Sequence, residues 1–256
     1  AGKFKVAEAD NKTVALRAVV ARVDRSVVFE SVTIDGTNSY GGHFEVFDVP
    51  NVVPMRVGTV KAWYTRFHQL GKGGLSAAVK IGYKTNFDPV PTNEFQGCSW
   101  TGSLDYGLHA QASNALLIVA DNVFANSHNG GIFTMTGSSS VHIIRNAVIG
   151  VSMSPKAPVK TNQLNSEQRV INYAGIRTDE LPVRMLENVV AGSNDMGFMH
   201  TAEPCPASRI FNNEAAAVVV GVFLVPLKGG SCQTANLYKI WKAAHTAVFI
   251  ADVLVG

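Results

Sequence analysis

The stretch from Val119 to Phe133 decides the fold. It reads Val-Ala-Asp-Asn-Val-Phe-Ala-Asn-Ser-His-Asn-Gly-Gly-Ile-Phe, and its first half returns as Ile-Ile-Arg-Asn-Ala-Val-Ile-Gly over positions 143–150. Both copies place one apolar residue three positions before an asparagine and another two positions after it. Self-similarity at a fixed interval indicates a repeat architecture, in which each repeat forms one unit that stacks on the next.

The same unit recurs outside this stretch. In most copies a glycine and an apolar pair follow about nine residues after the asparagine. Successive members of the two sets mostly recur at an interval of about 24 residues. The asparagines are Asn122, Asn146, Asn188 and Asn213, and the glycines are Gly107, Gly131, Gly197 and Gly221.

The segments between these residues have the character of β-strands. They are short, rich in valine, isoleucine and phenylalanine, and bounded by Gly, Asn, Asp or Ser, whereas few windows show helical periodicity. We therefore expect an all-β chain folded over residues 1–256 as one right-handed parallel β-helix, with about 24 residues per coil. A β-sandwich is the alternative, because it also has short strands and turns, but it does not explain the fixed interval.

In a stack of coils the recurring asparagines and glycines have structural roles. Asparagine at the same corner of every coil can form a ladder of side-chain amides that satisfies bent backbone beyond the reach of the sheets. Glycine suits corners that need a positive φ or a close approach of two backbones. We interpret these eight residues as structural corners and not as ligands.

Composition narrows the range of functions. The 256 residues are 46% hydrophobic and 16% charged with a net charge of +3, which is enough apolar material for a core. The 22 basic residues are scattered, so we expect no nucleic-acid partner. The longest apolar run, Ala215–Val225, is well short of the roughly 20 residues that span a bilayer.

The segment 153–168 breaks the repeat and is interpreted as a long loop, and the strand-like last residues suggest a segment of a longer protein.

Three cysteines and one sequon are candidate modification sites. Cys205 and Cys232 are separated by slightly more than one coil, so an oxidising compartment would allow a disulfide between them. Cys98 is interpreted as a small buried apolar residue. Asn11 lies in the only Asn-x-Ser/Thr sequon and would accept a glycan if the chain is secreted and the site exposed.

Catalytic candidates are weak. A glycosidase needs two carboxyl groups within about 5–10 Å, and Asp195 could approach Glu203 across a turn with His200 nearby. Arg177 with Asp179 is the nearest indication of lyase chemistry, and His109 with His128 could lie on adjacent coils. No Cys-x-x-Cys or His-Glu-x-x-His motif occurs, so we expect neither a metal nor a cofactor.

Several stretches resemble a known family. Asn188-Val-Val-Ala-Gly-Ser193, followed by Gly197-Phe198, resembles a motif of the β-helix that follows the G8 domain in fibrocystin-like proteins and in the cell-surface hyaluronidase family. Five other stretches resemble the family in the same order along the chain. They are Ser26-Val-Val-Phe29, Gly41-Gly-His43, Phe67-His-Gln-Leu-Gly71, Gly97-Cys-Ser-Trp100 and Ile240-Trp-Lys-Ala-Ala244. The last of these looks more like the fibrocystin branch than the hyaluronidase branch.

The resemblance implies an extracellular or cell-surface protein, associated in the fibrocystin branch with cilia. In one respect this chain departs from the family, since Gly73–Gly82 lacks the paired histidines that often follow the Gln-Leu-Gly turn. We therefore expect a non-enzymatic structural or interaction β-helix, whose partners are other protein chains or further coils of the same protein. The alternatives are a polysaccharide-active enzyme of the hyaluronidase or lyase type and a glycan-binding module.

Overall fold

A computed structural model describes most of the chain. The described residues are 22–32, 41–49, 51, 53–54, 56–73, 76–83, 91–112, 115–135, 141–153, 173–179, 183–201, 203–204, 209–225, 233–234 and 238–250. Asn11, Cys205 and Cys232 lie outside them, as does all of the expected loop except Met153. The glycosylation, disulfide and loop assignments therefore stay predictions.

The described residues form 25 strands and no helix, which confirms the all-β prediction. Among them no helix is long and apolar enough to cross a membrane. The strands are β1 (Val27–Glu30), β2 (Phe44–Val49), β3 (Arg56–Val57), β4 (Lys61–Trp63), β5 (Thr65–His68), β6 (Val79–Tyr83), β7 (Thr92–Gln96), β8 (Ser99–Thr101), β9 (Leu108–Ala112), β10 (Leu116–Ala120), β11 (Val123–Ala125), β12 (Ile132–Met135), β13 (Val141–Ile144), β14 (Ala147–Ile149), β15 (Ala174–Thr178), β16 (Val183–Leu186), β17 (Val189–Ala191), β18 (Met196–Thr201), β19 (Glu203–Pro204), β20 (Ile210–Phe211), β21 (Asn213–Ala216), β22 (Val220–Val225), β23 (Gln233–Thr234), β24 (Tyr238–Trp241) and β25 (Thr246–Ile250).

Three long sheets contain nearly all of these strands. An eight-stranded sheet has the order β1-β5-β8-β11-β14-β17-β21-β24, a six-stranded sheet β20-β16-β13-β10-β7-β4, and a nine-stranded sheet β25-β22-β18-β15-β12-β9-β6-β2-β3. All pairs in these sheets are parallel except β2 with β3. Because the β-sandwich considered above is built from antiparallel sheets, the parallel pairing excludes it.

Consecutive strands visit the three sheets in rotation. Thus β7, β8 and β9 belong to the six-, eight- and nine-stranded sheets, and β10, β11 and β12 repeat that order. Between these levels the pairs follow the sequence repeat, as in Phe124 with Trp100 and Phe124 with Val148. The repeat interval of the sequence is therefore the distance along the chain from one strand to its neighbour in the sheet.

The core is arranged in columns that follow the stacking direction. In the eight-stranded sheet one column passes through Phe67, Trp100 and Phe124, whose rings stack with centroids 4.7 and 4.5 Å apart. Further along the sheet the same column contains smaller side chains, which are Val148, Val190 and finally Ala215. Trp100, Phe124, Val148, Val190 and Ala215 are fully buried. Stacked aromatic rings at one end and small side chains at the other therefore fill the same column.

A column of glycines faces these side chains. A Cβ on Gly107 would lie 2.6 Å from Cδ1 of Phe124, and one on Gly131 would lie 2.8 Å from Cγ2 of Val148. None of the four predicted glycines has a left-handed φ, so they serve close approach and not a special backbone conformation. Gly175 belongs to the same column but was not identified from the sequence, because residues 153–168 interrupt the interval before it.

Left-handed backbone occurs at two other corners, and mostly at residues that are not glycine. The residue just before each ladder asparagine has φ between 53° and 57°, as at Asp121, Arg145 and Glu187. A second set follows the strands of the eight-stranded sheet and includes Asn126 and Gly150. For a residue with a Cβ this conformation costs about 1–2 kcal/mol, so the surrounding bonds must hold it in place.

We expect Gly131→Ala to lower the free energy of unfolding by about 1–3 kcal/mol, because the added methyl group overpacks the space against Val148. Urea unfolding followed by circular dichroism measures the change. Gly42→Ala is the matched control, since its Cβ would lie 3.6 Å from the Ser31 hydroxyl and its φ is not left-handed. That variant should be neutral or gain up to about 1 kcal/mol. Equal losses in both variants would contradict the role given to the glycine column.

Candidate functional site

The four ladder asparagines form a continuous chain of hydrogen bonds inside the stack. Nδ2 of Asn122, Asn146 and Asn188 each donates to Oδ1 of the next asparagine at 3.0 Å. The same Oδ1 accepts the backbone N–H of the preceding asparagine at 2.9–3.0 Å. The other Nδ2 hydrogen goes to a backbone carbonyl on the six-stranded sheet, for example Val119 for Asn146. All four side chains are 0–1% exposed, so they are not accessible to a ligand.

Other residues occupy the ladder position at its two ends. Cys98 precedes Asn122 in the column, where its backbone N–H donates to Oδ1 of Asn122 at 2.8 Å and its thiol donates to the carbonyl of Ala62 at 3.2 Å. Cys98 is a fully buried free cysteine, and burial raises the pKa of its thiol. Tyr238 follows Asn213 at the other end. The sequence indicated that Cys98 is buried, but it did not indicate that Cys98 occupies a position in the ladder.

A third corner carries two buried carboxyl groups. Oδ1 of Asp105 accepts Nδ2 of Asn129 at 2.7 Å and the backbone N–H of Tyr106 at 2.9 Å. Along the same column, Oδ2 of Asp195 accepts the backbone N–H of Tyr173 at 3.3 Å. Burial raises the pKa of both groups, that of Asp195 to about 6. These carboxyl groups serve as bond acceptors for the corner backbone.

His200 forms a buried pair with Tyr238. Its side chain is 1% exposed on the inner side of β18, Nδ1 lies 2.8 Å from the carbonyl of Thr201, and Nε2 lies 2.7 Å from the hydroxyl of Tyr238. Since a carbonyl only accepts, Nδ1 carries the hydrogen and Nε2 accepts from the tyrosine. Burial lowers the pKa of His200 to about 4, so the ring is neutral at pH 7.

Asp195 and His200, two of the three residues considered for catalysis, do not share one site. Asp195 directly precedes β18 and His200 lies near its end, so the strand between them separates their Cα atoms by roughly 16 Å. The backbone of Glu203 pairs with Thr234 in an antiparallel ribbon, and its side chain lies outside what the structure describes. Each of the two described groups is bonded within the stack, so neither Asp195 nor His200 is placed for proton transfer to a common substrate.

A cluster on the outer face of the nine-stranded sheet is the better candidate site. We call it the flank cluster, and its members are Lys80, His109, Phe133, Arg177 and Asp179. The first four occupy one row on adjacent strands. The ring of Phe133 lies 4.7 Å from the imidazole of His109, nearly parallel to it, and 4.6 Å from the guanidinium of Arg177. Nε and an Nη of Arg177 donate to the two carboxylate oxygens of Asp179 at 2.7 and 2.9 Å.

His109 is the unusual member of the flank cluster. Burial, reinforced by the positive charge of Lys80, lowers its pKa to about 4, so the imidazole is neutral at pH 7. Its Nε2 is buried and has no hydrogen-bond partner within the described part of the chain. A buried ring nitrogen without a partner costs about 1–3 kcal/mol. His128 lies apart from it, with Nδ1 3.0 Å from the hydroxyl of Ser152.

The sequence indicated part of this cluster. Arg177 with Asp179 and His109 were singled out, but Lys80 and Phe133 were not, since only the strand register places them in one row. Within the described residues no group of three or more His, Cys, Asp or Glu side chains could hold a metal ion. What the cluster offers a ligand is a cation, aromatic edges and a neutral imidazole.

Asn146→Ala is expected to lower the free energy of unfolding by at least about 3 kcal/mol. The substitution removes the acceptor of the backbone N–H of Asn122 and of one of its Nδ2 hydrogens, as well as the Nδ2 that donates to the carbonyl of Val119, while the other Nδ2 hydrogen of Asn122 keeps its bond to Phe95. Urea unfolding measures the loss. Asn194→Ala serves as control, because Asn194 is exposed and its backbone bond to Val151 survives the change, so the effect should stay within about 0.5 kcal/mol. A loss as small as that in Asn146→Ala would contradict the ladder's role.

His200 and Asp195 should give the stability opposite dependences on pH. The folded pKa of His200 is below the usual 6.5, so its contribution is present above that value and is lost as the pH falls towards 4. The folded pKa of Asp195 is above the usual 3.8, so its contribution is present below that value and is lost as the pH rises through 6. Each shift corresponds to about 3 kcal/mol at most.

Two variants separate these effects in urea unfolding between pH 4 and 7. His200→Gln removes the loss at low pH. The stability of this variant, compared with the unsubstituted protein at the same pH, should therefore be higher at pH 5 than at pH 7. Asp195→Asn removes the gain at low pH and should make the acid destabilisation steeper than in the unsubstituted protein. Parallel stability curves for all three proteins would show that neither group is buried as described.

Comparisons with known proteins find no match for the chain. No protein-family model matches it, no curated protein is significantly similar to it, and no solved structure matches it. The assignment of function therefore depends on the geometry described above and on the sequence resemblance.

Proposed function

We propose that the chain is a right-handed parallel β-helix that acts as a rigid, non-enzymatic spacer and interaction surface, in a fibrocystin-like, G8-associated protein of the cell surface or the ciliary coat. One observation carries the proposal. The asparagines inside the stack bond to one another from level to level, and Asp105 and Asp195 bond to groups of their own corner, so these described polar side chains do not converge on a cleft.

The rotation of the strands through three sheets supports the helical part of the proposal. A chain that visits three parallel sheets in a constant order, and advances one strand position in each sheet per round, follows a coil. Right-handedness is the general rule for crossovers between parallel strands of one sheet. The eight strands of the longest uninterrupted parallel sheet correspond to a stack of roughly 34 Å at a spacing of about 4.8 Å.

This internal bonding makes the stack rigid. Backbone ladders in three sheets, the amide ladder at one corner and the stacked rings of Phe67, Trp100 and Phe124 all act along the same axis. A stack held in this way transmits geometry between its ends, and contacts with partners fall to the outer faces and to loops. The partners in this proposal are other protein chains or further coils of the same protein.

The extracellular location in the proposal rests on the resemblance. A disulfide between Cys205 and Cys232 and a glycan on Asn11 would fit such a location. Non-reducing mass mapping of the secreted protein tests both, and free thiols at the two positions would count against an oxidising compartment.

Glycan binding along the flank cluster is a second candidate function. It is favoured by the buried Nε2 of His109 without a partner, next to the cation of Lys80 and the edge of Phe133. Because Nε2 has no surface open to solvent, a saccharide hydroxyl would satisfy the imidazole only after the side chains that cover it move aside, and an acidic sugar would be attracted by the lysine. Binding without cleavage is compatible with the scaffold role.

The main proposal is tested by incubating the folded protein with a panel of polysaccharides that includes hyaluronan, with and without divalent metal. We expect the size-exclusion profile of every polysaccharide to stay unchanged, because the described candidates Asp195 and His200 lie too far apart to act on one glycosidic bond. A β-rich circular dichroism spectrum serves as the control for folding. A clear shift to shorter chains would replace the scaffold with an enzyme.

Glycan binding is tested by titrating oligosaccharides of the same panel into the protein and into two histidine variants. If a ligand binds at the flank cluster, His109→Gln should weaken it about tenfold or more, since one buried hydrogen bond is lost. His142→Gln is the matched control, because His142 lies on the outer face of the six-stranded sheet. Equal affinity of all three proteins, or no binding, would remove this candidate.

A further inference from the structure

The outer face of the eight-stranded sheet is apolar in its middle. Phe124, Val148 and Val190, at the centres of β11, β14 and β17, point into the core, so the residues on either side of each point outward. These six outward residues form two rows across the three strands, and we call them the apolar face. They are Val123, Ala147 and Val189 in one row and Ala125, Ile149 and Ala191 in the other.

The two rows indicate a surface that something covers. Val123 is 7% exposed, and the other five members are only partly buried. Since the central residues of these strands are apolar as well, β11, β14 and β17 are apolar on both sides. Parallel strands that are apolar throughout are typical of sheets with both faces covered.

Described residues already lie against this side of the sheet. Next to Val123 in the same row, Ser99 points outward from β8 and is nevertheless fully buried. Its hydroxyl donates to the carbonyl of Val23, and Nε of Arg25 donates to the carbonyl of Gly97. This part of the chain therefore crosses the outer side of β8 at the border of the apolar face.

The chain just before this contact suits the apolar face in composition. Residues 14–21 read Val-Ala-Leu-Arg-Ala-Val-Val-Ala, so seven of the eight are apolar. Six of them are alanine or valine, the residue types that also make up most of the apolar face. Small side chains on both partners allow the segment to lie close to the sheet.

The length of the segment is also sufficient. The apolar face extends over two strand spacings, which is roughly 10 Å at about 4.8 Å per strand. Eight residues span about 12 Å as a helix and about 27 Å as a strand. Residues 14–21 can therefore cross the apolar face in either conformation, and the contact of Val23 with Ser99 holds them beside it.

We propose that residues 14–21 of this chain bind the apolar face and bury it. Contact between apolar side chains drives the binding, and the bonds that Val23 and Arg25 make with β8 keep the segment close to its site. Partners in the proposed spacer function would then use the other faces of the stack, since this one is occupied. The inference rests on the strand register and on these bonds, and it holds whether or not the proposed function is correct.

Thiol labelling of the full chain tests the proposal. Ala147→Cys places a probe on the apolar face, and Ile118→Cys places a reference probe on the outer side of the six-stranded sheet. The chain is treated with a water-soluble maleimide, and peptide mass mapping identifies the labelled cysteine. Adding Leu16→Asp and Val19→Asp should label the first probe about tenfold faster or more, because the charged segment leaves the face. The rate at the reference probe should not change.

Ala7→Asp with Ala9→Asp is the matched control. It adds the same two carboxylates outside residues 14–21 and should leave labelling on the apolar face slow. Every variant should keep a β-rich circular dichroism spectrum. The proposal is overturned if the probe on the face reacts equally fast with and without Leu16→Asp and Val19→Asp, whether that rate is fast or slow. A rate that rises on dilution of the protein also overturns it, because a second copy then covers the face.

Discussion

A hydrogen-bonded side-chain amide at the corner between two sheets is the interaction on which the rest of the structure depends. The residue before each ladder asparagine has a left-handed φ, and the turn that it makes directs backbone groups away from both sheets. One asparagine supplies an acceptor for two N–H groups and donors for two carbonyl oxygens, so a single side chain satisfies the corner. Each peptide group left unmatched would cost about 1–3 kcal/mol. Because the bonds run from level to level, the ladder also ties the register of the six-stranded sheet to that of the eight-stranded sheet.

Fixed register determines which side chains can face one another inside the stack. The eight-stranded sheet presents Trp100 and Phe124 in one column, and the opposing wall must then come close without side chains, as it does at Gly107 and Gly131. The positions at which glycine is required therefore depend on the ladder as much as the positions of the large residues do. A shift of one coil by a single residue would direct the aromatic rings outward and bring side chains into the space that the glycines leave free. Packing and corner bonding are in this sense two consequences of the same repeat interval.

That interval explains which features could be predicted from the sequence. The asparagines and four of the glycines recur mostly at about 24 residues and belong to residue types with a specific use at corners, so the pattern indicated both their role and the all-β fold. Cys98 occupies a ladder position, and its thiol donates to a carbonyl of the six-stranded sheet as the asparagines do, but a cysteine does not belong to a pattern of asparagines, so the pattern ends before it. Gly175 follows an interruption of the repeat. The flank cluster has no sequence signature, because Lys80, His109, Phe133 and Arg177 meet through register and come from four coils. Asp195 and His200 are close in sequence but far apart along a strand, which a count of residues between them does not reveal.

β24 differs from the preceding strands of the eight-stranded sheet in what attaches it. The amide ladder ends at Asn213, and Tyr238 takes the next position in the column. Its hydroxyl reaches inward to Nε2 of His200, and its ring packs 5.4 Å from that of Phe198. A neutral imidazole thus replaces an amide as the acceptor that joins the final strand of this sheet to the interior. An amide keeps the same bonding pattern at every pH, whereas His200 loses its acceptor nitrogen when it is protonated. β24 is therefore the strand of the eight-stranded sheet whose attachment responds to acid, and acidification should loosen it before the strands that are held by the ladder.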